Sequence, residues 1–276
     1  MRLSFMIANE DIPEGAKVTG LTGVMEKNLK ELKKAGFKSF ELMIADPEKI
    51  NTEKIRSLER QTETEISFLC TGEMAGTMGL HLNHIDSKKR QEALSGLLKA
   101  VEKASKLGVN INIGRLRGIV WEDGLEHSLK RLEEALQIVD NFVSSNLLRL
   151  SILIEPLRRD ICPILNSCSQ TYDFILSAGL RNFGILLDSD HFDRGSDSEF
   201  LASHIDTIMH VHLADTMHKP LGHGEVDFDR LLNILFDAGY AGDFSVEIFT
   251  GSEQYSTLSE SATFLRKYSR LREVLA

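Results

Sequence analysis

The chain has 276 residues, is 42% hydrophobic and 26% charged, and carries a formal net charge of −9. That balance suits a globular protein and excludes a broad nucleic-acid-binding surface, which needs clustered Lys and Arg. A chain of this length buries roughly 75% of the surface that its unfolded form exposes, so its core needs no covalent staple. Cys70, Cys162 and Cys168 are an odd number without close spacing, which argues against a disulfide framework and a structural zinc site. The opening MRLSFMIANED holds too short an apolar run for a signal peptide, and no run reaches membrane-spanning length. The expectation is a soluble cytoplasmic protein that partners neither nucleic acid nor membrane.

Apolar strand-like runs alternate with helical patterns eight times. The first strand covers Leu3 to Ala8, and a helix from about Leu21 to Lys34 closes at Gly36. Ser39 to Ala45 is the second strand, and Asn51 or Thr52 can cap the helix after it. Glu65 to Cys70 is the third strand. The loop to Asp86, with His81 and His84 over the barrel mouth, precedes a long helix, Ser87 to Leu107, stopped by Gly108. Val109 to Ile113 is the fourth strand and Asp123 to about Phe142 the next helix. Leu148 to Ile154, Phe183 to Leu187, Ile208 to Ala214 and Phe244 to Phe249 are the remaining strands. Helices near Gln170–Ser177, Ser198–His204, Phe228–Ala238 and Thr257–Val274 follow them in turn.

Strands and helices in this alternation imply right-handed βαβ units and a parallel sheet. An open doubly wound sheet would usually carry a glycine-rich phosphate loop after its first strand. Here Ala8 is followed by Asn-Glu-Asp-Ile-Pro-Glu-Gly. The expected fold is therefore α/β, a (β/α)8 TIM barrel forming a single domain over residues 1–276.

In such a barrel the active site lies at the C-terminal ends of the strands. The last four strands finish in groups that bind cations: Glu155 in ILIEPL, Asp188 in ILLDSD, His212 in HVHLAD and Glu247 in SVEIF. Side chains two apart share a face, so all four project inward with Leu153, Leu186, His210 and Ser245 beneath them. Three carboxylates converging in a narrow barrel raise one another's pKa, and one divalent cation removes that conflict. Three carboxylates and one imidazole suit Mn²⁺ first, with Mg²⁺, Co²⁺ or Zn²⁺ as alternatives. Glu41 in FELMIAD has inward parity and would meet substrate or pair with a buried cation. Arg115 and Arg117 follow the fourth strand and suit a phosphate or carboxylate on a substrate.

These motifs resemble the xylose-isomerase-like TIM-barrel superfamily, in particular its ketose 3-epimerase and sugar-phosphate isomerase/epimerase group. The resemblance rests on Glu155-Pro-Leu, Asp188-Ser-Asp-His191, HVHLAD with its later GHG, and Glu247. It implies a sugar or sugar-phosphate substrate and a metal held by Glu155, Asp188, His212 and Glu247. Glu155 and Glu247 would act as acid and base, moving a proton next to a ketose carbonyl through a cis-enediolate. By the same resemblance His191 would hydrogen-bond a substrate oxygen, and the protein would be a homodimer or homotetramer. Departures fall on the substrate side. His218 stands where the group usually has arginine, and Ile161 stands at a glutamate position. Hydroxypyruvate isomerases, which usually carry glutamine in place of His212, are an alternative. A non-catalytic sugar-binding barrel is another. An apurinic endonuclease would need further histidines on the early strands and a basic groove.

Overall fold

A computed structural model describes residues 1–13, 16–193 and 195–275. Eight parallel strands pair in sequence order: β1 (Leu3–Ala8), β2 (Ser39–Met43), β3 (Glu65–Cys70), β4 (Asn110–Ile113), β5 (Ile152–Ile154), β6 (Phe183–Asp188), β7 (Ile208–Leu213) and β8 (Asp243–Val246). The barrel closes where Leu3, Ser4 and Phe5 pair with Phe244, Ser245 and Val246. Helices α1 (Met25–Ala35), α2 (Thr52–Thr62), α3 (Gly72–Gly76), α4 (Ser87–Leu107), α5 (Leu125–Ser145), α6 (Cys168–Ser177), α7 (Ser196–His204), α8 (Phe228–Asp237), α9 (Gln254–Leu265) and α10 (Ser269–Arg272) connect the strands or follow the last of them. This is the (β/α)8 barrel that the alternation predicts.

Because strand side chains alternate, one set packs outward under the helices and the other fills the barrel. Phe5, Phe40, Ile111, Ile185 and Phe244 belong to the large outer apolar shell. Inside, the Ser4 hydroxyl lies 2.8 and 2.7 Å from those of Ser39 and Ser67, within hydrogen-bond distance of both, near the N-terminal end. Phe68, Leu153 and Leu186 form an apolar layer of their own. Two residues beyond Leu153 and Leu186 stand Glu155 and Asp188, so the strand ends carry charge above this apolar layer.

Several boundaries differ from the sequence reading for local reasons. Gly20 and Leu21 are tied by backbone hydrogen bonds to Ile248 and Met6, so α1 starts only at Met25. The carboxylate of Asp11 accepts the N–H groups of Ala45 and Asp46, ending β2 at Met43. Leu148 instead closes α5 by donating to Val143, which shortens β5. The last helix breaks at the extended Tyr268, whose hydroxyl donates to Asp229. Asn51 is the cap of α2, accepting from the Lys54 N–H at 3.0 Å. Gly36 and Gly108 end α1 and α4 with φ of 104° and 62°, left-handed values that suit glycine.

All three cysteines are buried free thiols. Among the described residues no helix is long and apolar enough to cross a membrane. Glu14 and Gly15, in the stretch read as lacking a phosphate loop, lie outside the described residues.

Candidate active site

The four strand-end groups converge. One ligand atom each from Glu155, Asp188, His212 and Glu247 lies within 4.8 Å of the other three. Register explains the meeting: Asp188 pairs with His212, His212 pairs with Ser245, and Glu247 lies two residues beyond Ser245 on the same face. The Glu247 N–H donates to the Leu213 carbonyl at 3.1 Å and fixes that strand end. Thr19 donates to its Oε1 at 2.9 Å. Glu155 sits across the barrel, where Asn112 Nδ2 reaches its Oε2 at 3.4 Å. A Cβ at Gly114 would fall 2.8 Å from that same oxygen, so glycine clears the space for the carboxylate.

The orientation of His212 is set from below. Its Nε2 lies 3.0 and 3.1 Å from the two oxygens of Glu41, which can only accept, so Nε2 carries the proton. Nδ1 then points toward Glu247 Oε2 at 2.6 Å, Asp188 Oδ2 at 3.8 Å and Glu155 Oε1 at 4.0 Å. Neither His212 Nδ1 nor Asp188 Oδ2 has a hydrogen-bond partner, although both are buried. A carboxylate–imidazole pair aimed at a group of carboxylates is how proteins orient a metal-binding histidine.

The electrostatics point the same way. Burial, reinforced by the charges of Glu247 and Asp188, pushes the Glu155 carboxyl up to about 8. Burial also lifts Asp188 to about 6, against the pull of His218. Burial opposes ionisation of Glu247, but His212 and His218 outweigh it and hold that carboxyl down at about 2. His212 feels the same burial, yet Glu41 and Glu247 raise its imidazole well above the ordinary value. Negative charge at this end of the barrel is thus short of compensation, which a divalent cation would supply. The donor set and the two orphaned atoms fit such an ion.

Above the cluster opens a cavity of about 290 Å³, walled by Glu155, Glu247, His191, His218, Arg115 and Arg158 together with Met43, Cys70, Ile161 and Phe249. Two residues singled out in the sequence take other places. Glu41 is fully buried one layer deeper and is not part of the cavity wall. Both its neighbours on β7 engage it, since His210 Nε2 also lies 3.0 Å away. Its inward parity therefore serves the second role foreseen for it, a buried pair, rather than substrate contact. Arg117 is also fully buried and spends its guanidinium on the carbonyls of Glu155, Ile164 and Leu165. Arg115 lines the cavity but is paired with Glu73. His218 donates from Nδ1 to the Glu247 carbonyl at 2.8 Å. His81 and His84 pack against Trp121, and none of the three lines the cavity.

Residues that the sequence reading missed include Asp190, Glu73 and Thr19. Asp190 had a signal, since it lies between Asp188 and His191 in DSDH. Glu73 and Thr19 come from loops whose course only the closed barrel defines.

Residues 29–268 match the family model described as xylose isomerase-like TIM barrel. The chain belongs to that family. An inosose isomerase from Halalkalibacterium halodurans is 33% identical over 111 residues, a match that spans 36% of this chain and 39% of that protein. An inosose isomerase from Bacillus licheniformis is 27% identical over 198 residues, spanning 66% of this chain and 68% of its own. A solved L-ribulose 3-epimerase superposes with a TM-score of 0.79 at 18% identity, over 98% of this chain and 95% of that one. At that identity the superposition speaks for the barrel and not for the substrate. The proteins it is similar to are thus named as isomerases and an epimerase.

Proposed function

We propose that this chain is a metal-dependent isomerase or epimerase of a sugar or a related polyhydroxy ketone. One observation carries the reading: four side chains able to hold a metal, three buried and Glu247 partly exposed, converge at the cavity floor, with His212 Nδ1 and Asp188 Oδ2 left without a hydrogen-bond partner. Glu155, Asp188, His212 and Glu247 would hold the ion, and Mn²⁺ suits the set best. When bound, a divalent ion acts as a Lewis acid that polarises a carbonyl.

The chain's own groups supply the rest. Glu155 and Glu247 stand in the cavity wall, where each can exchange a proton with a bound substrate. Glu247 removes the proton beside the substrate carbonyl, and Glu155 returns a proton to the substrate. Delivery to the opposite face of the same carbon is epimerisation, and delivery to the neighbouring carbon is isomerisation. Thr19 and the Leu213 carbonyl fix Glu247, and Asn112 and Gly114 define the place of Glu155, so neither base wanders. His191, on the same wall, receives a substrate oxygen. Met43, Cys70, Ile161 and Phe249 exclude water from the apolar side.

The reading is tested by deuterium exchange. Protein loaded with Mn²⁺ is incubated in D₂O with a panel of ketoses, keto-inositols and ketose phosphates, followed by NMR. Deuterium at a carbon next to the carbonyl in at least one of them is expected. Tight binding of a sugar with no exchange anywhere in the panel would leave a sugar-binding barrel instead.

A further inference from the structure

Behind the cavity wall, Asp190 joins three loops. Its Oδ1 accepts Arg158 Nη1 and the N–H of Met217, both at 2.8 Å. Its own N–H donates to Asp188 Oδ1 at 2.6 Å. Its second oxygen, Oδ2, is buried without a hydrogen-bond partner. That oxygen faces His191 Nδ1 at 3.7 Å and His218 Nε2 at 3.8 Å. His191 Nδ1 is likewise buried and unpartnered, and the side chains of His191 and Asp190 are 3% and 1% exposed. Two orphaned polar atoms that face one another are each other's available partner, because an unmade buried hydrogen bond is costly.

The charges around the cavity matter equally. Each of the two guanidiniums in its wall has a carboxylate: Arg115 pairs with Glu73, and Arg158 pairs with Asp190 and Asp160. Lys17, the further cation of the wall, lies 5.3 Å over the Phe249 ring.

We propose that Asp190 is a positioning residue that makes this cavity select an uncharged polyhydroxy substrate over a phosphorylated one. The proposal rests on the isomerase or epimerase reading and names its substrate class. A carboxylate oxygen can only accept, so Asp190 holds the proton of His191 on Nδ1. Nε2, on the ring that lines the cavity and unbonded among the described residues, then presents a lone pair. A lone pair takes a hydroxyl donor and repels a phosphate oxygen. Through its other oxygen the same carboxylate discharges Arg158, the guanidinium that would otherwise hold a phosphate. One side chain thus sets both the acceptor and the charge of the subsite.

The test is Asp190→Asn, with Asp190→Ala as a second variant. Asparagine can keep Oδ1 for Arg158 and Met217 but places a donor where Oδ2 stands. The His191 tautomer is read from ¹⁵N shifts of imidazole-labelled protein. Wild type is expected to carry Nδ1–H and Asp190→Asn to carry Nε2–H, with metal affinity unchanged. The KM for a free ketose should rise roughly tenfold or more. The preference of wild type for free ketose over its phosphate, roughly a hundredfold in kcat/KM, should narrow in both variants. An unchanged tautomer in Asp190→Asn, or equal turnover of ketose and ketose phosphate by wild type, would overturn the proposal. Failure of wild type to exchange any substrate in D₂O would instead overturn the isomerase or epimerase reading, and the tautomer measurement stands apart from that outcome.

Discussion

His212 on β7 donates its Nε2 proton to Glu41 on β2, 3.0 Å away across the barrel interior and not between neighbouring strands. That single bond decides which imidazole nitrogen faces the carboxylates above. Replacing Glu41 with Gln substitutes an amide nitrogen for one of the two oxygens that face His212, of which Oε2 also faces His210. The variant is expected to fold, as shown by circular dichroism, and to bind Mn²⁺ about 10- to 100-fold more weakly by calorimetric titration. Wild-type affinity in that variant would mean that Glu41 does not orient the ligand.

Glu247→Gln removes the group expected to accept the proton but keeps its shape, and the Gln oxygen can still receive the Thr19 hydroxyl. Sugar binding should survive while deuterium incorporation falls by about 10²- to 10⁴-fold, the range of a lost general base. Turnover within a few-fold of wild type would assign the base elsewhere.

Gly114→Ala introduces a methyl group 2.8 Å from Glu155 Oε2. The cost is expected at about 1–3 kcal/mol, in the range for overpacking. It should show mainly as weaker metal binding and slower exchange rather than as a loss of helix signal.

Asp215, at the end of β7, supports the loop that carries His218. Its carboxylate accepts the N–H groups of Thr216, Gly222 and Val226 at 2.8 to 3.0 Å. Burial opposes its ionisation, but these donors outweigh it and hold its pKa below the ordinary carboxylate value. A depressed carboxylate pKa contributes stability that is present above the unfolded value, about 3.8, and lost as pH falls through the folded one. Asp215→Asn is therefore expected to destabilise the protein by about 1–3 kcal/mol at pH 7 and by much less near pH 3. Denaturant melts at the two pH values measure the difference. An equal loss at both would remove the charge from the explanation.

Removing divalent ions with a chelator should lower the melting temperature. An ion present at 100 times its Kd stabilises the native state by about 2.7 kcal/mol, or roughly 5–10 °C for a chain of this size. Restoring Mn²⁺ should recover the shift in wild type and not in His212→Ala.

What the sequence by itself determined is the barrel and the order of its strand ends. Alternating apolar runs and amphipathic helices leave one economical closure. Period-two alternation then places Glu155, Asp188, His212 and Glu247 on the inner face at one end. Such patterns are local, a property of each strand and its neighbours. The tertiary structure decided what depends on atoms far apart in the chain. Glu41 meets His212 only because β2 and β7 face each other across a closed barrel. Arg117 and Arg115 look alike in the sequence, yet one is drawn into backbone carbonyls and the other into an ion pair by loops whose paths no periodicity encodes. Asp190 is readable as a strand-end carboxylate. That one oxygen serves Arg158 and Met217 while the other is left facing His191 is a matter of three loops packing at angstrom distances, which only the folded chain defines.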